Sequence, residues 1–431
     1  MITTKEQIID YFKTGIKEKK DFRIGIEHEK FLFDNKNNKR IDYSKIKQMF
    51  AALLEFGWNP ILEKGNIIGL NKGGKNITLE PGNQIELSGD KLNHIHEACA
   101  ESQDYLFELR QVTQKLDINI VSAGFDPISK LDEIPNNPKQ RYELMTKDMP
   151  LGGELSLDMM YRTCGTQLNI DYNSEADFIK KFKIVNSIVP ISIALFANSA
   201  IVEKKKSKYL SYRSKVWQST SRGGLPKIFF EELDFEKYAN FVINFPILFI
   251  QHEGTYISGR KYTFKEFMEG KIAEIGNRLP TENDLTTHLS TIFTENRLKK
   301  YIELRSMDTC GWDCLCSGPA FFIGMLYGNL DEVYEIISKW DKSKIINAYL
   351  EAPEKGFNTQ LMGKDLLYWA STLLDLSKKG LEERDILNKR GKNETLFLNH
   401  LQKVIDNKLT NADHMISKFS KTEDLSELYD K

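Results

Sequence analysis

Two spacings of apolar residues exchange along this chain. Residues 23–33 (RIGIEHEKFLF) alternate as a strand does, so Glu27 and Glu29 share one face with Phe31 and Phe33. The opening MITTKEQIIDYFKTGIKEKK reads as an amphipathic helix with Ile8, Ile9 and Phe12 toward a core. Residues 41–57 repeat helically at Ile46, Met49, Phe50, Leu53 and Leu54, with Gly57 as a stop. NIIGLNKGGKNITLEPGNQIELSG then reads as short β runs about the turn NKGGKN. A helix is predicted over 91–116 and a strand over 118–125. A loop is predicted over 126–155, where four prolines fall. YRTCGTQLNIDY (161–172) reads as a strand, and Asn173-Ser174 opens a helix with Glu175 and Asp177 in its first turn. LKKYIELRSMD (298–308) is a further strand, and helices with charged faces follow from about 320. Strands and helices interleave throughout, which predicts an α/β chain with one domain over 1–431.

One segment, IVNSIVPISIALFANSAIV (184–202), has the length of a membrane span. It also carries Asn186, Ser187, Pro190, Ser192, Asn198 and Ser199, and lysines flank both ends, so a buried core helix is expected and no membrane partner. Charge is balanced, 60 basic against 61 acidic residues, without the basic excess of a nucleic-acid partner. No apolar h-region opens the chain. Five cysteines, Cys99, Cys164, Cys310, Cys314 and Cys316, form no disulfide framework by spacing. A reducing, cytoplasmic compartment is expected.

Candidate chemistry concentrates in four β segments. Glu27 and Glu29 lie in the first, Glu80, Gln84 and Glu86 in the second, Gln167, Asn169 and Asp171 in the third, Glu303 and Arg305 in the fourth. Each alone reads better as the solvated face of a sheet. Together, five glutamates inside otherwise apolar strands imply a carboxylate-lined cup if the strands share a sheet, and clustered carboxylates away from water need cations. Hard divalent ions with oxygen ligands fit, and no Cys/His set has zinc spacing, so Mg²⁺ is expected. A cup with Mg²⁺ and arginines suits phosphoryl transfer. Arg162, Arg213, Arg222 and Arg305 lie in or beside these segments; each is equally a structural ion-pair partner. Gly73 to Lys75 (GGK) lacks the full P-loop spacing, and His94 and His96 lie in a helical context.

These same stretches resemble the plant-type glutamate–cysteine ligase family, also found in proteobacteria. The likeness runs through IGIEHEKFLF, LEPGNQIELSG, LDMMYRTCGTQLNIDYNSEADFIKKF, ALFANSA, SYRSKVW, LTTHLSTIFTENRLKKYIELRSMD and GLEER. It implies a glutamine-synthetase-like catalytic fold, a curved, largely antiparallel sheet forming a funnel wrapped by helices. It implies ATP-dependent joining of L-glutamate to L-cysteine through a γ-glutamyl phosphate. The chain is expected to act as a monomer or homodimer. Carried over residue by residue, Glu27, Glu29, Glu80, Glu86 and Glu303 are Mg²⁺ ligands, and Arg305 with Glu303 serves the chemistry. Gln167 and Asn169 line the cup, and Arg162, Arg213 with Trp217, and Arg222 hold substrate.

Two stretches depart from the family pattern. QSTSRGG after Trp217 is shorter and lacks acid, and Asp313 and Cys314 stand after Trp312 where relatives often have two arginines. A related ligase with another amine acceptor, and a silent nucleotide- or glutamate-binding relative, are the alternatives. The cysteine pairs that make plant members redox-switchable are not evident in the sequence.

Overall fold

The alternating runs meet in one nine-stranded sheet. The computed structural model, which describes residues 1–231 and 233–430, forms its first seven strands from β1 (Ile24–Asp34), β2 (Asn59–Glu63), β3 (Asn66–Lys72), β4 (Lys75–Leu79), β5 (Ile85–Ser88), β6 (Ile118–Val121) and β7 (Gly165–Ile170). Short pairs lie outside the sheet: β8 (Ile201–Val202) with β9 (Lys205–Lys206), β10 (Gly223–Gly224) with β13 (Phe293–Thr294), and the hairpin β11 (Phe249–His252) with β12 (Thr255–Ser258). β14 (Asn296–Leu298) and β15 (Ile302–Asp308) complete the sheet, in the order β14-β15-β7-β1-β5-β4-β3-β2, with β6 on the second half of β1. Every pairing within it is antiparallel. The sheet stays open, since its edges β14 and β2 do not pair with each other.

Helices cover one face. The first eight are α1 (Lys5–Lys13), α2 (Tyr43–Leu53), α3 (Ile95–Lys115), α4 (Gln140–Asp148), α5 (Ser156–Arg162), α6 (Glu175–Ser187), α7 (Val189–Leu195) and α8 (Tyr212–Gln218). Ile24 and Ile26 of β1, Leu168 and Ile170 of β7, and Ile302 and Leu304 of β15 share a core with α6 and α7. Leu70, Ile77, Leu79, Ile85 and Leu87 share another with α2 and α3. On the opposite face, Phe31 and Phe33 are capped by Phe419 and Leu428 from the C-terminal segment. Only the part of that face carrying Glu27 and Glu29 is left to form a cup.

Several sequence expectations change. The 126–155 segment contains α4, because Tyr142 and Met145 recur at helical spacing and are buried. Tyr161 and Arg162 belong to α5, and the strand expected from 161 begins at Gly165. The apolar 184–202 run is not one helix. It is the end of α6, then α7 with Pro190 in its first turn, where a missing N–H costs nothing. Its Asn186 is fully buried and hydrogen-bonds Phe182 O, and no described helix is long and apolar enough to cross a membrane. Cysteine pairing is also corrected: Cys99–Cys316 and Cys310–Cys314 are bonded, and Cys164 is free and buried. The first pair joins residues 217 apart in sequence, a proximity that spacing does not reveal.

Candidate active site

Register builds the site. Glu29 of β1 stands directly opposite Glu86 of β5, and Glu27 is flanked by Ser88 and Gln167. Glu303 of β15 stands opposite Asn169 of β7. A shift in the β15–β7 register between Leu304 and Met307 falls at Arg305, and such bulges re-aim a side chain. The resulting cavity, about 360 Å³, is lined by Glu27, Glu29, Glu80 and Glu86 on its acidic side. Ligand atoms of Glu29, Glu80 and Glu86 lie within 4.8 Å of one another, close enough for one ion.

Glu27, Glu29 and Glu86 resist ionisation. Burial, then Glu303 and Glu86, push Glu27 up to about 7. Burial, then Glu86 and Glu80, raise Glu29 well above the usual carboxylate range. Glu86 is raised by burial and by Glu80, against a hydrogen bond from Ser88 Oγ at 2.7 Å. Their polar support is thin: Gly165 N donates to Glu29, and Asn169 Nδ2 donates to Glu27 at 2.9 Å. A hard dication would supply the missing counter-charge, so the donor set fits Mg²⁺.

Glu303 behaves differently. Arg297 grips it bidentately, Nε–Oε2 at 2.7 Å and Nη2–Oε1 at 2.8 Å, while Lys299 lies at 3.2 Å and Arg305 at 2.7 Å. Burial opposes its charge, yet Arg297, Lys299 and Arg305 hold it well below the usual range. Arg305 also donates to Gln167 Oε1, and its Nε has no partner. Arg297 and Arg305 line the cavity beside the acidic residues, and Glu303, which does not line it, holds both arginines from behind.

The expected arginines separate into two groups. Arg213 and Arg305 both lie over the Trp217 ring, at 5.3 and 5.2 Å. Arg213 donates from Nη2 to Arg305 O, while its Nε and Nη1 are buried without partners, and it too stands outside the cavity lining. Arg162 and Arg222, expected to hold substrate, do not line the cavity. Arg162 is taken by Asp158 and Glu203 and lies over Phe125. Arg222 spends all three nitrogens on Thr291 and Pro246, and burial, then Arg260, lower it to about 9. Arg222 is braced by its own surroundings, whereas Arg162 keeps Nε and Nη2 buried without partners. Asn169 likewise stands behind Glu27 and does not line the cavity.

Other lining residues escaped the sequence reading. Arg141, Tyr142 and Met145 come from α4, Gln251 and Tyr256 from the β11–β12 hairpin, and Arg297 from β14. Buried Lys30, on the opposite face of β1, donates to Cys310 O at 2.7 Å. RYELM in 141–145 was the available signal for α4, masked by the surrounding prolines. The alternation of Arg297 and Lys299 in NRLKK was the signal for the cationic wall.

A family model, glutamate-cysteine ligase family 2, matches residues 23–431. The chloroplastic glutamate–cysteine ligase of Nicotiana tabacum is 39% identical over 422 residues, 96% of this chain and 80% of the relative. That of Arabidopsis thaliana is 37% identical over 423 residues, 97% and 80% of the two. Among solved structures, a glutamate–cysteine ligase from Francisella tularensis in complex with AMP aligns with TM-score 0.54 at 14% identity, covering 94% of this chain and 86% of that one. A bifunctional glutathione synthetase from Pasteurella multocida aligns with TM-score 0.52 at 12% identity, covering 98% and 52%. At those identities the likeness is one of fold. The plant relatives also overturn the cytoplasmic expectation, since they are chloroplastic by name.

Proposed function

This chain belongs to glutamate-cysteine ligase family 2, and from that premise we propose that the acidic cup is where its substrates meet. The activity is ATP-dependent ligation of L-glutamate to L-cysteine, the first step of glutathione biosynthesis. The single observation that supports the site assignment is that Glu29, Glu80 and Glu86 line one cavity together with Arg297 and Arg305, both arginines being paired with Glu303. The same reading takes 1–431 as one catalytic domain, supported by strands from residue 24 to residue 308 meeting in one sheet.

A carboxylate is a poor acyl donor at neutral pH. Moving the γ-phosphoryl of ATP onto the glutamate γ-carboxylate makes an acyl phosphate. The cysteine amine then attacks the acyl carbon and gives up a proton, forming the C–N bond as inorganic phosphate leaves with the bonding pair. Glu29, Glu80 and Glu86 are the residues that would hold Mg²⁺, with Glu27 beside them; Mg²⁺ neutralises charge on the phosphates when bound. Arg305, braced by Glu303 and Gln167, points its remaining donor capacity at the moving phosphoryl. Arg213, with two uncommitted nitrogens above Trp217, receives a glutamate carboxylate. Glu303 keeps the cationic wall ordered, and Arg297 and Lys299 add positive charge for the polyphosphate.

The test is ADP release by purified protein with Mg²⁺, ATP and L-glutamate, single amines being added in turn with mass detection of product. Stimulation by L-cysteine with γ-glutamylcysteine formed is expected. Stimulation by a different amine alone would move the acceptor, and no stimulation by any amine would overturn the catalytic reading.

A further inference from the structure

Two stretches singled out in the sequence, YNSEADFIKKF (172–182) and GLEER (380–384), contribute nothing to the catalytic cavity. Both line a second cavity, of about 630 Å³ against about 360 Å³ for the catalytic one. It lies where Phe22 leads into β1 and Asn173 leaves β7. Five basic and three acidic side chains line it. The acids are mostly spent: Asp177 holds Lys181 and Asp331 holds Lys180, which leaves Glu383.

Lys181 is the most buried of the cations, at 1% exposure. Its Nζ donates to Asp171 O and Asp177 Oδ2, both at 2.9 Å, and stands over the Phe22 and Tyr327 rings at 4.3 and 4.8 Å. An ammonium has three donors, so one is left. Burial pushes Lys181 down to about 8, and Lys19 pushes the same way against Asp177 and Asp171. Arg384, at the end of the helix Leu366–Arg384, approaches the same Tyr327 ring at 5.8 Å. Its Nε donates to Glu394 Oε2 at 3.3 Å, and its Nη1 and Nη2 have no hydrogen-bond partner among the described residues. On the rim Lys20 pairs with Glu18, whereas Lys19 has no ion pair among the described residues. Cations gathered without matching anions cost free energy that a bound anion offsets.

The donors indicate which anion. A guanidinium fork beside two ammonium charges matches a tetrahedral dianion with several oxygens and exceeds what one carboxylate requires. The volume leaves room for an organic group attached to it. Tyr327 lies in a π-helical turn, Gly324–Gly328, a form that recurs at functional sites. Its Oη donates to Arg23 O at 2.8 Å and accepts from Asp171 N at 2.6 Å, holding the start of β1 to the end of β7. We propose that this cavity is a second, non-catalytic anion site that takes a phosphate group, free or as a phosphate monoester. Binding there does not depend on ligase activity.

The test is isothermal titration calorimetry of the full chain in chelator, with inorganic phosphate and, separately, with glucose 6-phosphate. Saturable binding is expected, and the tighter probe identifies the source of the phosphate group. Arg384→Gln weakens binding about 10-fold, as loss of a charge-assisted pair does. Lys19→Glu reverses a charge on an exposed side chain and weakens binding about 5-fold. Arg305→Met, in the catalytic cavity, leaves binding within about twofold. Ligase turnover of Arg384→Gln and Lys19→Glu, without added phosphate, also stays within about twofold of wild type. Thermal melting verifies the fold of each variant. If Arg384→Gln, which also touches buried Glu394, melts early, Lys19→Glu alone decides. No binding of either probe, binding unchanged in the folded rim variants, or binding abolished by Arg305→Met overturns the site.

Discussion

Glu29 meets Glu86 across two strands, and neither has a basic side chain in ion-pair contact among the described residues; the proposed Mg²⁺ would supply the counter-charge. Replacing either by Gln removes a ligand and a repulsion together. For Glu29→Gln and Glu86→Gln, Mg²⁺-dependent turnover is expected to fall by about 10²–10³-fold, while the metal-free melting temperature rises. Unchanged activity in both variants would sink the metal assignment. Glu27 yields a pH prediction. Its folded pKa of about 7 exceeds the ordinary 4.5, so the native state binds its proton more tightly. The stability it contributes is present below pH 4.5 and lost as pH rises through 7, on the order of 3 kcal/mol. Metal-free denaturation between pH 5 and 8 should show that decline, and Glu27→Gln should flatten it. Glu303 acts with the opposite sign: its depressed pKa stabilises above the carboxylate range and is lost only in acid.

At the scale of elements, β7 and the end of β15 position α8 and its Arg213. Gly165 opens β7, and a Cβ there would lie 2.7 Å from Arg213 Nη2. Gly165→Ala therefore shifts the guanidinium while sparing the sheet, and the glutamate KM is expected to rise about 10-fold, as sub-ångström misplacement of a binding group does. An unaltered glutamate KM would separate Arg213 from glutamate. Asp308, buried at the end of β15, accepts from Asn198 N at 2.8 Å, Ser199 Oγ at 2.6 Å and Ser211 Oγ at 2.9 Å. It thereby ties β15 to the segment leading into α8. Asp308→Asn should cost about 2–3 kcal/mol, since an amide leaves at least one of these donors unsatisfied; a denaturant midpoint equal to wild type would refute this.

Over the whole molecule, the open sheet leaves one partly uncapped face, and that opening is the cavity. Mg²⁺ should stabilise the fold as any ligand of the native state does. The gain should be larger at pH 8 than at pH 5, because protons compete for carboxylates whose pKa values are raised. Thermal melts with Mg²⁺ or chelator at both pH values check this, and a pH-independent gain would contradict it.

The sequence by itself determined the strands that carry Glu27, Glu29, Glu86 and Glu303, since an alternation of period two is a local property. It also determined the acidic set and, through long ordered matches, the family and its reaction. Only the tertiary structure decided which arginines line the cup: of the four expected, Arg305 does and Arg162, Arg213 and Arg222 do not. Arg162 meets Glu203 and Arg222 meets Thr291 through chain segments 41 and 69 residues away, and no spacing rule selects such partners. α4 was hidden by its flanking prolines, and the Cys99–Cys316 pair by the 217 residues between them. Side-chain alternation belongs to the strand, whereas the partner that satisfies or frees a buried charge is chosen by long-range packing.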